Sequence, residues 1–484
     1  MSHIFVDIPG LIILSIGVII YFIFSSSPYY DEHLIDGYSL TAFGSKTAYK
    51  NNGLKSVLPS LLNRRRFVHV NALIRHGTRS PDSKFSKKVE KIRARLQKAN
   101  CSLPDVDFSV KSCGKGDKVL LSPGVKEIED LGRRLRAIVP NEFRHASNML
   151  VISSETERTI DSAKAFLSTY TDDNVTITED FRRIRFFADC NNYISTVRSS
   201  EIARKEFYKF RDGKEMQRVL QEVVSDHGLE DLQLTTTDIA NLYKVAAYEV
   251  AAMEEGSPLP GWVQLFRPEH LYVLEYLHDL KQYWTKGNAF PLSYEQVCPL
   301  WGAIMEDMVK AATHDRDMVI AKRDGYDVSK LEKKSSHRSV FWFGHAETLL
   351  PLVTKLNLFN ESVSSEFGGG EHLTAAGFQS RLRRLQLEEL PVPNLFRSSH
   401  IIPFAGNIAF FLFYCPNLNE EPSLNDYCLE VRLNEQVVEI IPQADGLPRP
   451  LRLPQVLAHF ESCLPSAYNK TALCDRPLSS PPSA

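Results

Sequence analysis

The chain has 484 residues, 43% of them apolar by type and 24% charged, with a formal net charge of -2. That is enough material for a large core and more than one domain. A charge this near neutrality excludes a global pull toward nucleic acid or an anionic membrane, so any anion binding must come from local clusters.

The first element is apolar. No charged residue stands between Ile8 and Tyr30, and Leu11 to Phe24 ("LIILSIGVIIYFIF") is almost wholly hydrophobic. The seventeen residues from Ile8 to Phe24 meet the lower edge of the roughly 17 to 25 that span a bilayer and exceed the roughly 7 to 15 of a cleaved signal's apolar region. Residues 1–30 are therefore expected to be a signal anchor, with a cleaved signal peptide ending near Ser25 as the rival reading.

Next comes a strand, Phe67 to Ile74, which runs directly into "RHGTRSP" (Arg75 to Pro81). Ligands of open α/β sheets are met beyond the carboxyl ends of strands, so Arg75, His76 and Arg79 are placed to receive an anion. Guanidinium forks suit phosphate oxygens, a neutral imidazole can attack phosphorus without prior deprotonation, and Gly77 lets the backbone approach. The basic run Lys84 to Asn100 that follows reads chiefly as a solvated helix face. "KSCGKGDKVL" (Lys111 to Leu120) lacks the GK[ST] ending and a preceding strand, which excludes a nucleotide P-loop. In "GVKEIEDLGRRLRAIV" (Gly124 to Val139), Val125, Ile128, Leu131, Leu135 and Ile138 share one helical face.

A second strand, Met149 to Ser153, precedes "SSETERTIDSAKAFL", which sets Arg158 at a helix start where the amide dipole favours an anion. From Asn191 to Lys334 the periodicity is helical, as in "DIANLYKVAAYEVAAM" and "PEHLYVLEYLHDLKQYW". His314-Asp315 lies in this stretch with no strand before it, so it is not read as a catalytic pair. A third strand, Ser339 to Phe343, places His345 and Glu347 just beyond its end, and Asn407 to Tyr414 and Leu429 to Leu433 read as two more. The alternation predicts an α/β fold, a parallel sheet flanked by helices. The boundaries expected are an α/β domain over 65–190 and 335–475, an inserted smaller α-helical domain over 191–334, and a disordered tail over 476–484.

Eight cysteines without zinc-ligand spacing point to disulfides, of 105 possible connectivities, with Cys101/Cys113, Cys415/Cys428 and Cys463/Cys474 as the local candidates. Glycosylation acceptors stand at Asn100, Asn174, Asn360 and Asn469. Leader, cysteines and sequons together predict a body in the secretory lumen or outside the cell, membrane-anchored or, if the leader is cleaved, secreted.

"RHGTRSP" followed far downstream by "GHAE" resembles the histidine acid phosphatase branch of the histidine phosphatases. His-Ala-Glu, where most acid phosphatases have His-Asp, resembles its multiple inositol polyphosphate phosphatases, and "RIRFFADC", "VLEYLHDLKQYWTKG", "PFAGNIAFFLFYC" and "VRLNEQVVEI" agree. The resemblance implies a phosphomonoesterase acting on inositol polyphosphates, phytate foremost, through a phosphohistidine and with neither metal nor cofactor. It makes His76 the nucleophile, Arg75, Arg79 and Arg158 the phosphate clamp, His345 a second phosphate donor and Glu347 the proton donor. Lys84 is implied as a substrate contact, joined by Arg185, Lys281 and Lys286. Relatives commonly carry an aromatic before the motif's proline and a threonine after it; Ser80 and Asp82 stand here, and the acidic Asp82 is expected to weaken binding of a highly phosphorylated ring. The alternatives are a broad-specificity acid phosphatase and, in another class, an inert membrane-tethered binding glycoprotein. Retention of all six core residues argues against the latter.

Overall fold

A computed structural model of the chain describes residues 34–35, 38–49, 65–98, 116–254, 256–327, 337–359, 372–387, 395–416, 421–442 and 451–475. The apolar leader, Cys101, Cys113, Asn100, Asn360 and the tail lie outside them. Among the described residues no helix is long and apolar enough to cross a membrane.

Eight strands form one sheet. They are β1 (Arg66–Arg75), β2 (Met149–Ser153), β3 (Ile177–Glu179), β4 (Ser339–Gly344), β5 (Asn407–Tyr414), β6 (Tyr427–Leu433), β7 (Gln436–Val438) and β8 (Leu451–Arg452). Their order is β8-β6-β5-β1-β4-β2-β3, with β7 on β6. All five strands expected from apolar runs are present. Both faces of β1 are covered, which is why its run is mostly apolar on both faces, with the buried His69 and Asn71 hydrogen-bonded to His337 O and Asp307.

The expected sheet flanked by helices is present; the one detail corrected is that it is mixed rather than parallel throughout. β1, β4, β2 and β3 pair in parallel, whereas β5 runs antiparallel to β1 and β6 antiparallel to β5. Residues 415–426 join β5 to β6 with no α-helix among those described, so the connection is not the helical crossover that a parallel pair uses and the chain returns beside β5 in the opposite sense.

One face of the sheet is covered by α2 (Ser122–Ile138) and α3 (Glu157–Tyr170), which follow α1 (Ser83–Lys98) in the chain. Ile128, Leu131, Leu135, Phe166 and Tyr170 pack there against Val70, Ala72, Ile74, Phe341 and Phe343. Between Asn191 and Arg323 every described regular element is helical, including α4 (Lys214–His227), α5 (Thr236–Ala251), α6 (Pro268–Lys286) and α7 (Cys298–Arg323). Trp301 of α7 packs tilted against Phe410 of β5, 5.0 Å between ring centres, and covers the other face. Helix α8 (Ala346–Lys355) leaves the end of β4.

Among the described residues three disulfides join Cys190 to Cys474, Cys298 to Cys463 and Cys415 to Cys428. The Cys415/Cys428 expectation holds. Cys463 and Cys474 do not pair with each other: each ties the C-terminal segment to a distant part of the chain, a choice that sequence proximity does not carry. Of the two described sequons, Asn174 is exposed and Asn469 is exposed while capping a short helix through Ala472 N.

Candidate active site

Parallel register decides what meets at the sheet's carboxyl edge. Arg75 at the end of β1 lies opposite Gly344 at the end of β4, and Ser153 at the end of β2 lies opposite Phe343. His76, Arg158 and His345 therefore leave three adjacent strand ends together. The His76 and His345 rings are 5.8 Å apart.

The motif turn is held from every side. His76 N donates to Gly344 O at 3.1 Å, and its own carbonyl accepts from Ala405 N at 3.1 Å. Gly77 packs against Gly124 so closely that a Cβ on it would lie 2.2 Å from Gly124 O. Both residues must be glycine for that contact. Thr78 donates through N and Oγ1, each at 2.8 Å, to the buried Glu127 carboxylate, which also accepts from Tyr49 N at 2.9 Å. Burial pushes Glu127 up to about 7, despite those donors. Ser80 accepts from Val119 N and donates to Gly116 O, both at 2.9 Å, so "KSCGKGDKVL" ends as a loop pinned to the motif.

One contact fixes the tautomer of His76. Its Nδ1 lies 2.9 Å from Gly77 O, and a carbonyl can only accept, so the proton of the neutral ring sits on Nδ1. Nε2 is left as the unprotonated nitrogen. Burial, then Arg75, Arg79 and Arg158, hold the His76 pKa well below its ordinary value, so the ring stays neutral through the acid range.

Three guanidinium groups surround it. Buried Arg75 donates to Ser45 O at 2.7 Å and Ile402 O at 2.5 Å and stacks 4.5 Å from the Phe404 ring centre. Arg79 donates to Ser80 O at 2.7 Å and Tyr248 Oη at 3.3 Å. Arg158 donates to His345 Nδ1 at 3.1 Å. All three leave a buried Nε without a partner. Burial and mutual repulsion bring Arg75 down to about 9 and Arg158 to about 10. A cluster of like charges with unspent donors is suited to one anion.

His345 accepts from Arg158 at Nδ1, so its neutral ring carries the proton on Nε2, 3.0 Å from Ser154 Oγ. Both nitrogens are thus occupied by the protein in this state, and burial followed by Arg158 takes its pKa down to about 3. Glu347, in the first turn of α8, pairs with Lys286 Nζ at 3.0 Å. Crowding by the surrounding walls pushes Glu347 up, but Lys286 and His345 outweigh this and hold it well below the usual carboxylate range. The side chain keeps 39% of its surface open, so water screens the pair and it counts as an ion pair at the rim.

The remaining expected residues are dispersed around this centre. Arg185 pairs with Glu155 and lies 6.0 Å from the Phe187 ring, close enough for its charge to act on Arg158 and His345. Lys281 is exposed on α6, one turn from Lys286. Lys84 is exposed on the first turn of α1, and none of the described hydrogen bonds ties it to the arginines. Asp82 caps that helix by accepting from Phe85 N at 2.9 Å, and its charge is opposed by Lys244, Lys118 and Arg79. His314-Asp315 is structural: Asp315 pairs with Arg66 at 2.6 Å and accepts from Tyr427 Oη at 2.9 Å.

Two cations were missed. Lys46, from the turn Gly44–Lys46, lies 5.5 Å from the Phe404 ring centre and 5.7 Å from that of Tyr248. Burial, then Arg75, Arg79 and Lys244, pull its pKa well down. Lys244 of α5 sits 3.8 Å from the Phe85 ring centre, and burial brings it down to about 8. Lys244 left a signal, a lone cation within an apolar helix. Lys46 left none, since "FGSKTAY" has neither periodicity nor motif.

The family described as "Histidine phosphatase superfamily (branch 2)" matches residues 66–434. Multiple inositol polyphosphate phosphatase 1 of Gallus gallus is 28% identical over 380 residues, 76% of this chain and 76% of that protein. The Homo sapiens protein of the same name is 27% identical over 408 residues, 77% of this chain and 75% of its own. Among solved structures, the phytase from D. castellii superposes with a TM-score of 0.66 at 15% identity, over 95% of this chain and 92% of that one. The Bifidobacterium longum multiple inositol polyphosphate phosphatase in complex with inositol hexasulfate superposes at 0.62 and 12% identity, over 89% and 98%. At such identities these two likenesses concern the fold.

Proposed function

The chain belongs to branch 2 of the histidine phosphatase superfamily, and from that premise we propose that it hydrolyses inositol polyphosphates, phytate and its lower phosphates, through a phosphohistidine at His76. The observation that carries the reading is a neutral imidazole whose free Nε2 stands among three arginines with unspent donors. The curated relatives' names supply the substrate class.

In the first half-reaction the scissile phosphate enters among Arg75, Arg79 and Arg158, whose charge stabilises the transferring phosphoryl. His76 Nε2 bonds to phosphorus as the ester P–O bond breaks, and Glu347 delivers a proton to the leaving oxygen. Arg158, in turning onto phosphate, releases His345 Nδ1, which then gains a proton and becomes a second donor. In the second half-reaction water attacks the phosphohistidine, its proton goes to Glu347, and inorganic phosphate leaves. Lys46, Lys244, Lys281 and Lys286 form a wider cationic rim suited to the other phosphates of a polyphosphorylated ring. The leader, the three disulfides and the exposed Asn174 and Asn469 support a luminal or extracellular, glycosylated body tethered by residues 1–30.

The test compares phytate with nitrophenyl phosphate at equal concentration and follows inositol phosphate products with time. Faster turnover of phytate with stepwise products, both abolished in His76→Ala, is expected. A large excess of activity on the aryl ester would favour a broad-specificity acid phosphatase.

A further inference from the structure

The proton donor is held in the wrong state for its task by one partner. Lys286 Nζ bridges Glu347 Oε1 at 3.0 Å and Gln282 Oε1 at 3.1 Å. It is the last residue of α6, where the helix dipole favours a cation, and its own side chain is 20% exposed against 39% for Glu347. A carboxylate in an ion pair has no proton to give. The other groups whose charge reaches Glu347 are Lys281 on the same helix, Lys46 on the turn Gly44–Lys46, Arg75 of β1, Arg158 of α3, His345 beside it and the Tyr193 phenol. Arg75 and Arg158 also face the scissile phosphate, and His345, neutral while Arg158 engages it, takes its proton only when Arg158 turns onto that phosphate, whose charge the new imidazolium then faces. Lys286 is the cation that touches the carboxylate itself.

We propose that Lys286 is a substrate-operated gate on Glu347: a second phosphate of the substrate draws the ammonium away, and only then does Glu347 take up the proton it gives to the leaving alcohol. The inference rests on the polyphosphate reading and deepens it. A monoester of an unactivated alcohol fills the arginine cluster but offers Lys286 nothing, so the ion pair survives and the leaving oxygen lacks its acid. A neighbouring phosphate carries more charge than a carboxylate and competes for the ammonium directly. Once Lys286 has moved, Glu347 faces an anion instead of a cation, and both changes raise its affinity for a proton. The balance closes over the cycle. Glu347 gains one proton from solvent, passes it to the ester oxygen as the P–O bond breaks and the His76 Nε2–P bond forms, and recovers one from the water that hydrolyses the phosphohistidine. The consequence is selectivity in the chemical step, because substrates without a second phosphate bind yet turn over slowly.

The experiment measures kcat and KM for inositol hexakisphosphate and for glycerol phosphate, across the acid to neutral range, in the wild type, Lys286→Met and Lys286→Arg. In Lys286→Met the glycerol phosphate kcat is expected to rise about tenfold near neutrality, with the alkaline limb of its pH profile moving up by about one unit. Hexakisphosphate is expected to lose mainly through a raised KM, and Lys286→Arg to restore the lower limb. Glycerol phosphate kcat and limb that stay in place or fall in Lys286→Met, while hexakisphosphate weakens, would overturn the gate and leave Lys286 a simple substrate contact. A second readout is independent of that variant's folding: in the wild type, a protonated-carboxyl infrared band, absent in Glu347→Gln, should appear with hexakisphosphate and not with inorganic phosphate. Its appearance with both, or with neither, would equally overturn the gate. The substrate reading fails separately, on a wild type that prefers glycerol phosphate to hexakisphosphate.

Discussion

At the scale of residues, the strongest sequence signal was also the most local. Arg75, His76, Arg79, Arg158, His345 and Glu347 were each legible because each follows an apolar strand, and parallel strands of one sheet must end on one edge. What sequence could not supply is their state. The tautomer of His76 depends on Gly77 O, the engagement of His345 on Arg158 and Ser154, and the ionisation of Glu347 on Lys286, all set by tertiary contacts. An inositol alkoxide is a poor leaving group and a nitrophenolate a good one, so Glu347→Gln should cut phytate turnover by about 10²- to 10⁴-fold while sparing much of the nitrophenyl phosphate activity. Equal losses on both would mean that Glu347 organises the site and another group is the acid. Glu127 was missed as a positioning residue, although it stands four before Leu131 on the buried face of its helix. Its folded pKa of about 7 lies above the ordinary carboxyl value, so the folded state holds the proton more tightly than the unfolded one. The stability it contributes is therefore full below the unfolded pKa of about 4.5 and is lost as pH rises to about 7. Subtracting the unfolding profile of Glu127→Gln from that of the wild type should leave this downward slope; a flat difference would contradict the assignment.

At the scale of elements, period and composition identified five strands and the two helices on one face correctly, because each is buried on a pattern its own residues declare. The direction of β5 and β6 is different in kind. It follows from the kind of connection and from pairing, and an apolar run carries no sign of it. The motif turn is likewise made by partners far off in sequence, above all Gly124 at the start of α2. A Cβ there would lie 2.1 Å from Thr78 O, a backbone atom that cannot swing aside. Gly124→Ala should thus cost about 1 to 3 kcal/mol of stability and displace His76 enough to depress turnover of every substrate, activated ones included. Wild-type stability together with wild-type kinetics in that variant would show that the turn has slack.

At the scale of the whole molecule, disulfides bind the C-terminal segment across the fold. Cys190–Cys474 and Cys298–Cys463 span 284 and 165 residues, whereas Cys415–Cys428 spans 13. Because closing a longer loop removes more freedom from the unfolded chain, Cys474→Ala should lower stability by about 2 to 5 kcal/mol, more than Cys428→Ala, as read by chemical denaturation. The reverse order would mean that local strain, and not loop closure, governs their effect. For the molecule as an enzyme, turnover of a polyphosphorylated inositol is expected to pass through a covalent bond at His76. The direct test is a rapid quench, under conditions that spare phosphoramidates, of protein mixed with phosphorus-labelled inositol hexakisphosphate, followed by peptide mapping. Label on the peptide containing His76, formed and discharged at rates consistent with turnover and lost in His76→Ala, is the predicted result; label that persists unchanged in His76→Ala, or turnover with no labelled protein at any time, would contradict it.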